Sequence, residues 1–455
     1  YPMKIDARLT FEKINAKQGK DAHLVVSLTA PPRVGDVRRP ICIGLCIDVS
    51  GSMQGPKLDY AKKSAIKVVE HLKAGDYCGV VAFESEVHVT MAPVIITPEN
   101  KEKLKRAIQS LTTKGSTNFA GGMLKTLELM QNLDLPANVL HRAVMLTDGQ
   151  ANMGPVTTTE DIIKVYSANC GRVTASAFGY GAGVNQDFLT KFASAGNGNY
   201  AFIAEPDAAL TAFGNELGGL LSTYAMDIKL DVTSLANHMI DSVVTNVPFD
   251  VEPIGNIYTI KIHDILAEET RHFVFGVKLG TQNHVFPRAI NVFEADVSYD
   301  ILDEDGRKVR KTAEAKATAT FVDSGDEQTK PDQDLDTVVG LAQVVRAQIE
   351  AEEKARAGDY KSAAQIMGDV TARTNERGLK GVTRSAGRLG AMYGDRVAYS
   401  AGASYRATYQ AAGVRPMSVA LSEESAMSDL EDAGVSFSNS LRDECAEAFT
   451  SDDKK

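Results

Sequence analysis

Two hydrophobic rhythms alternate along residues 37–224. Short continuous apolar runs are followed by segments whose apolar residues return at helical spacing. ICIGLCID (Ile41–Asp48) is a run of the kind that is buried on both faces of a parallel sheet. PKLDYAKKSAIKVVEHLKAG opens on Pro56 near a helix start and closes at Gly75, with Leu58, Ala61, Ala65, Val69 and Leu72 at helical spacing. DYCGVVAF (Asp76–Phe83) reads as a second buried strand, with EVHVT (Glu86–Thr90) as a short edge beside it. Helices over Glu99–Leu111 and after Asn118 lead to the strand HRAVMLT (His141–Thr147). A helix–strand unit over Thr159–Phe178 and a helix through Ala208–Leu221 complete the series. Such alternation predicts an α/β fold: a doubly wound, mostly parallel sheet with helices on both faces.

Beyond residue 225 the rhythm changes to that of strands. DIKLDV, NIYTIKIHDI, ETRHFVFGVKLG and AINVFEADVSYDIL alternate or run apolar between turn residues, with no helix-length pattern among them. An antiparallel β-sandwich over 225–322 is the expectation. KIDARLTFEKI and AHLVVSLTAP, within residues 1–36, alternate in the same way and are expected to be further strands of that sandwich. The α/β unit is then inserted in the β unit, with its entry and exit close together. After the polar linker DSGDEQTKPDQD, a helical region is expected over 335–416. Its first helix carries Leu335, Val338, Ala342, Val345 and Ile349 on one face, and KSAAQIMGDVTART returns as the second arm of a hairpin. No fold is legible in Lys380–Arg415. The acidic stretch 417–455 reads as a flexible tail.

Length and charge narrow the classes. At 455 residues the chain exceeds one ordinary core. A net charge of −10 argues against nucleic acid or an anionic membrane as the main partner. No apolar run reaches the roughly 18 residues of a membrane span. The opening YPMKIDARLTF lacks the pattern of a signal peptide. Cys42, Cys46, Cys78, Cys170 and Cys445 are odd in number and none are paired as C-x-x-C, which suggests neither zinc nor a disulfide framework. A reducing, cytoplasmic compartment follows as the expectation.

The candidate chemistry lies where Ile41–Asp48 runs into Val49-Ser50-Gly51-Ser52-Met53. Ligand sites of open parallel sheets lie beyond the carboxyl ends of the strands. Asp48, Ser50 and Ser52 offer one carboxylate and two hydroxyls at alternate positions. Such hard oxygen donors suit Mg2+, with Mn2+ or Ca2+ as alternatives. Few anionic ligands leave the ion positive charge that an incoming carboxylate can neutralise.

This D-V-S-G-S element resembles the start of the metal-ion-dependent adhesion site of von Willebrand factor A domains. GSTNFAGGM places Thr117 where that family has its loop threonine, and MLTDGQANMG places Asp148 at its TDG aspartate. The resemblance implies hydroxyl ligands from Ser50, Ser52 and Thr117, with Asp48 and Asp148 acting directly or through water. It also implies a last position open to water or to a partner's Asp or Glu. The flanking strands and helices are similar, more loosely, to large bacterial and plant A-domain proteins. The function so implied is metal-dependent protein–protein binding by an adhesion or adaptor module, and not an enzyme. Alternatives are a structural subunit self-associating into rings or filaments, or a regulatory partner of an AAA+ ATPase.

Other features carry less. His23 and His88 on strands and His71 on a helix read as structural. Ser50 and Ser52 have no histidine base placed by a motif, which disfavours a nucleophile. Gly179-Tyr180-Gly181-Ala182-Gly183 fits no phosphate-loop spacing and reads as a strand-to-helix turn. Lys380–Arg415, with Arg384, Arg388, Arg396, Arg406 and interspersed tyrosines, suits an interdomain or self-association surface better than nucleic acid.

Overall fold

The computed structural model describes residues 2–401 apart from 33–38, 137, 182, 204–205, 248, 252–255, 284–286, 304–306 and 324–328. The expected tail over 417–455, Cys445, Arg406 with the rest of 402–416, and part of the linker lie outside the described residues. The chain begins with strands β1 (Lys4–Leu9), β2 (Lys13–Asn15) and β3 (Lys20–Thr29).

An α/β unit follows: β4 (Ile41–Asp48), α1 (Pro56–His71), β5 (Tyr77–Phe83), β6 (Val87–Ile95), α2 (Pro98–Gln109), α3 (Phe119–Gln131), β7 (Leu140–Thr147), α4 (Thr159–Asn169), β8 (Thr174–Tyr180), α5 (Gln186–Ala195), β9 (Asn197–Ile203) and α6 (Pro206–Leu221). Its sheet runs β6-β5-β4-β7-β8-β9, parallel except for β6. Successive β4 residues serve opposite cores. Ile41, Ile43, Leu45 and Ile47 join the core beneath α1 and α6, while Cys42 and Cys46 join that beneath α3 and α5. Burial on both faces is why the run is apolar without alternation. Gly44 lets α3 lie close, since a Cβ there would meet Met130 Sδ and Thr126 Cγ2 at 2.6 Å.

Two departures from expectation have local causes. β6 extends past Thr90 to Ile95 although it contains Pro93. It is an edge strand with register shifts beside Cys78 and Val80, and Gly79 leaves room for the proline ring. The strand NGNYAFI, together with the α5 helix before it, is missing from the expected alternation. Its polar, glycine-bearing start conceals a strand held against β8, where Gly198 lies so close to Ala175 O that no Cβ fits.

The remaining strands are β10 (Thr223–Ser234), β11 (Met239–Val243), β12 (Phe249–Val251), β13 (Ile257–Leu266), β14 (Thr270–Leu279), β15 (Arg288–Leu302) and β16 (Lys308–Val322). They form two sheets with the opening strands, ordered β1-β3-β14-β11 and β12-β13-β10-β15-β16-β2. One core joins them, with Leu24, Val26, Phe273 and Phe275 from the first sheet and Leu230, Val232, Ile260 and Phe293 from the second. The β2–β16 pairing is parallel, unlike the rest of the sandwich, because the chain crosses between sheets after β1 and returns for β3. Entry to and exit from the α/β unit meet at a single turn. Ala30 N donates to Glu269 O, Glu268 N to Pro31 O and Ala267 N to Ser222 O. Inside that turn the fully buried Glu269 carboxylate accepts from Leu266 N and from Arg271.

The expected hairpin is formed by α7 (Gln333–Arg356) and α8 (Tyr360–Glu376). Among the described residues two more helices, α9 (Lys380–Ala391) and α10 (Arg396–Ala401), follow in the segment whose fold the sequence leaves open. Asp332 and Asp359 cap the first two, and Gly358 and Gly378 end them at positive φ. Leu335 and Val339 anchor α7 on Val25 and Val274 of the sandwich. Tyr393, fully buried, donates to Glu352 Oε1 at 2.9 Å, and Tyr399 reaches the other oxygen. These two tyrosines turn into the helical core, not outward as stacking platforms. Among the described residues no helix is long and apolar enough to cross a membrane.

Candidate metal centre

The sheet order reverses at β4, since β5 lies on one side and β7 on the other. A crevice therefore opens beyond the carboxyl ends of these two strands. Asp48 closes β4, and Asp148 follows β7 directly; both are fully buried. Ser50 N donates to Asp48 Oδ1 at 2.9 Å, and the hydroxyls of Ser50 and Ser52 lie 3.1 Å apart. Gly51–Met53 form a single 3-10 turn that folds the loop back on itself.

Thr117 reaches the rim from a third loop, fastened on both sides. Gly51 N donates to Gly115 O at 3.1 Å, while Asn152 N and Met153 N donate to Thr117 O. Thr117 N in turn donates to the Asn152 side chain at 2.9 Å. The structure thus links Asp48, Ser50 and Ser52 through side-chain bonds and brings the Thr117 and Asp148 loops beside them through backbone bonds.

Burial lifts the Asp48 carboxyl to about 6, against hydrogen bonds from Ser50 and Thr147 that pull it down; the neighbouring Asp148 charge adds to the rise. Two buried carboxylates that repel each other gain from a cation between them. Among the described residues Asp148 Oδ1 also has no hydrogen-bond partner, and its Oδ2 accepts from Lys57 Nζ at 3.1 Å. The donor set is all oxygen, so it fits a hard divalent ion.

Several contributors escape sequence reasoning. Thr147 Oγ1 donates to Asp48 Oδ2 at 2.6 Å and accepts from Gly149 N at 2.9 Å, tying the two aspartate loops together. Glu84, at the end of β5, accepts from Asn118 N through its backbone oxygen and so braces the Thr117 loop. Its carboxyl is raised by burial, but bonds from His88, Ser85 and Glu86 prevail and hold it at about 2. Glu84, Glu86 and His88 place ligand atoms within 4.8 Å of one another, with Lys114 Nζ also 3.4 Å from Glu84. The E-x-E-x-H spacing was the signal for this group, which a search for paired histidines passes over. His23 and His71 sit on β3 and α1, bonded to Gln343 and to Lys67 O.

Residues 43–216 match the family model of the von Willebrand factor type A domain. The chain carries a von Willebrand factor A domain. Inter-alpha-trypsin inhibitor heavy chain H3 of Pongo abelii is 26% identical over 265 residues, covering 57% of this chain and 27% of the relative. The matched part thus spans little more than a quarter of that heavy chain. An uncharacterised Synechocystis protein is 23% identical over 377 residues, covering 80% of this chain and 86% of its own. Among solved structures, a von Willebrand factor type A protein from Catenulispora acidiphila superposes with a TM-score of 0.67 at 18% identity, covering 86% of this chain and 89% of the other. The ArnB paralog VWA2 from Sulfolobus acidocaldarius gives 0.57 at 13% identity, covering 92% and 100%. Both likenesses reach beyond the A domain, so the fold of the flanking units is shared as well.

Proposed function

We propose that the chain is a divalent-cation-dependent protein-binding module, not an enzyme, whose A domain grips a carboxylate of its partner. A domains mediate protein–protein interaction, and the reading adds the means. Asp48, Ser50, Ser52, Thr117 and Asp148 would hold Mg2+, or Mn2+ or Ca2+ in its stead. When bound, the ion supplies a positive point for a partner's Asp or Glu, a charge-assisted contact. The observation that carries this reading is the pair of fully buried aspartates at the sheet's switch point, one with an oxygen that has no hydrogen-bond partner among the described residues. A reducing, cytoplasmic setting is part of the proposal. Its support is that Cys42, Cys46 and Cys78 are free and buried, with burial pushing the first two thiols up to about 12.

The test is calorimetry with Mg2+ and Mn2+, followed by pull-down of a captured partner. Wild type should bind metal at millimolar concentration or below, and Asp48→Ala should not while keeping its circular dichroism spectrum. Partner binding should vanish in EDTA. Ser52→Ala should impair metal and partner together, whereas Thr117→Ala, on a separate loop, should weaken the partner more. Equal recovery of the partner by all variants in EDTA refutes metal gripping.

A further inference from the structure

Lys57 stands beside the candidate metal centre in a way that the ligand set does not require. It is the second residue of α1, and its ammonium lies 3.1 Å from Asp148 Oδ2. Its side chain is 28% exposed while that of Asp148 is fully buried, so the charge reaches inward from the rim. Two glycines make this reach possible. Gly55, with φ at 82°, turns the chain sharply into α1. Gly181, with φ at 87°, lets the lysine stem cross the turn after β8, since a Cβ there would approach Lys57 Cε to 2.5 Å. The G-Y-G turn, which fits no phosphate loop, thus acquires a different use.

We infer that Lys57 is a tethered competitor for the divalent ion, placed to keep metal binding weak and exchangeable. The inference rests on the adhesion-site reading of Asp48 and Asp148. An ion held by these residues must share the Asp148 carboxylate with the Lys57 ammonium or displace it. Like charges within a few ångströms repel, and the ammonium already neutralises one of the two carboxylates. The same contact stabilises the fold without metal, because stripping a buried carboxylate of its ion-pair partner is costly. Affinity for the ion and stability of the metal-free protein are therefore traded through one side chain.

The experiment uses the full chain as wild type, Lys57→Met and Lys57→Arg. Mn2+ affinity is read by calorimetry and melting temperature is read in EDTA. Lys57→Met should bind Mn2+ more tightly by on the order of tenfold. In EDTA it should melt below wild type, and it should gain more on adding Mn2+. Lys57→Arg keeps the charge and should stay near wild type in affinity. Measurable binding by wild type together with tighter binding by Lys57→Met supports the inference. If wild type binds Mn2+ and Lys57→Met binds it equally or more weakly, the competitor role falls and the adhesion site stands. An unchanged melting temperature in EDTA also overturns it. If neither protein binds metal, the adhesion-site reading falls and takes this inference with it.

Discussion

Replacing Thr147 with valine isolates the bond that joins the two aspartate loops. The residue is fully buried, and valine has nearly its shape, so the substitution leaves almost no cavity. What it removes is a 2.6 Å bond to Asp48 Oδ2 and a 2.9 Å bond from Gly149 N. A hydrogen bond to a charged group contributes about 1.5–3 kcal/mol, and a buried amide left unpaired costs about 1 kcal/mol more. The greater hydrophobicity of valine offsets part of this. The expected loss is about 2–4 kcal/mol in metal-free protein, a fall of roughly 4–16 °C in melting temperature for a unit of this size. Thr147→Ser keeps the hydroxyl and should keep most of the stability. Differential scanning calorimetry in EDTA reads both variants. If Thr147→Val matches wild type while Thr147→Ser is the less stable, the methyl group matters and the relay does not.

Two further outcomes test the architecture and the electrostatics. A fragment of residues 39–221 should fold alone, whereas 223–322 should not. Without β3 the second fragment lacks Leu24, Val25, Val26 and Leu28, each worth about 1.5–3 kcal/mol on burial, and it exposes the edge of β14; a stable monomer of 223–322 seen by light scattering and circular dichroism refutes this. His141 on β7 is held neutral in the fold, with burial and then Arg172 lowering it to about 4 against a bond to Val139 O. The unfolded chain binds that proton first, near pH 6.5, so stability should be complete above that pH and fall as pH drops toward 4. His141→Gln should flatten part of the fall and leave the contribution of His23, His238 and His272, which are shifted the same way; a profile identical to wild type counts against it.

Legibility in the sequence followed the strength of local signals. Central strands such as Ile41–Asp48 and His141–Thr147 are buried on both faces, and their unbroken apolar runs announce it. Asn197–Ile203 is an edge strand against β8 with a polar start, so nothing in its own composition separates it from a loop. The helices after Lys380 are hidden for a related reason. They are short and rich in Gly, Ala and Ser, and they hold together through distant partners such as Glu352, which binds Tyr393 and Tyr399 from forty and more residues away.

The same division runs through the candidate site. Asp48, Ser50 and Ser52 stand on one loop, so their spacing can be read directly, and Thr117 and Asp148 follow from motifs at predictable places in the chain. The residues that make those five cooperate are a different class. Thr147 acts on Asp48 across ninety-nine positions, and Lys57 acts on Asp148 across ninety-one. Both pairings exist only because β4 and β7 are neighbours and α1 starts above the crevice between them. A motif records which atoms face an ion. On the reading proposed above, how tightly the ion is held is set by second partners such as a threonine hydroxyl and a lysine ammonium, and these become visible only once the sheet order is known. Two A domains with the same five residues should therefore differ in metal affinity wherever position 57 or 147 differs. That is a physical reason to measure affinity and not infer it from the motif.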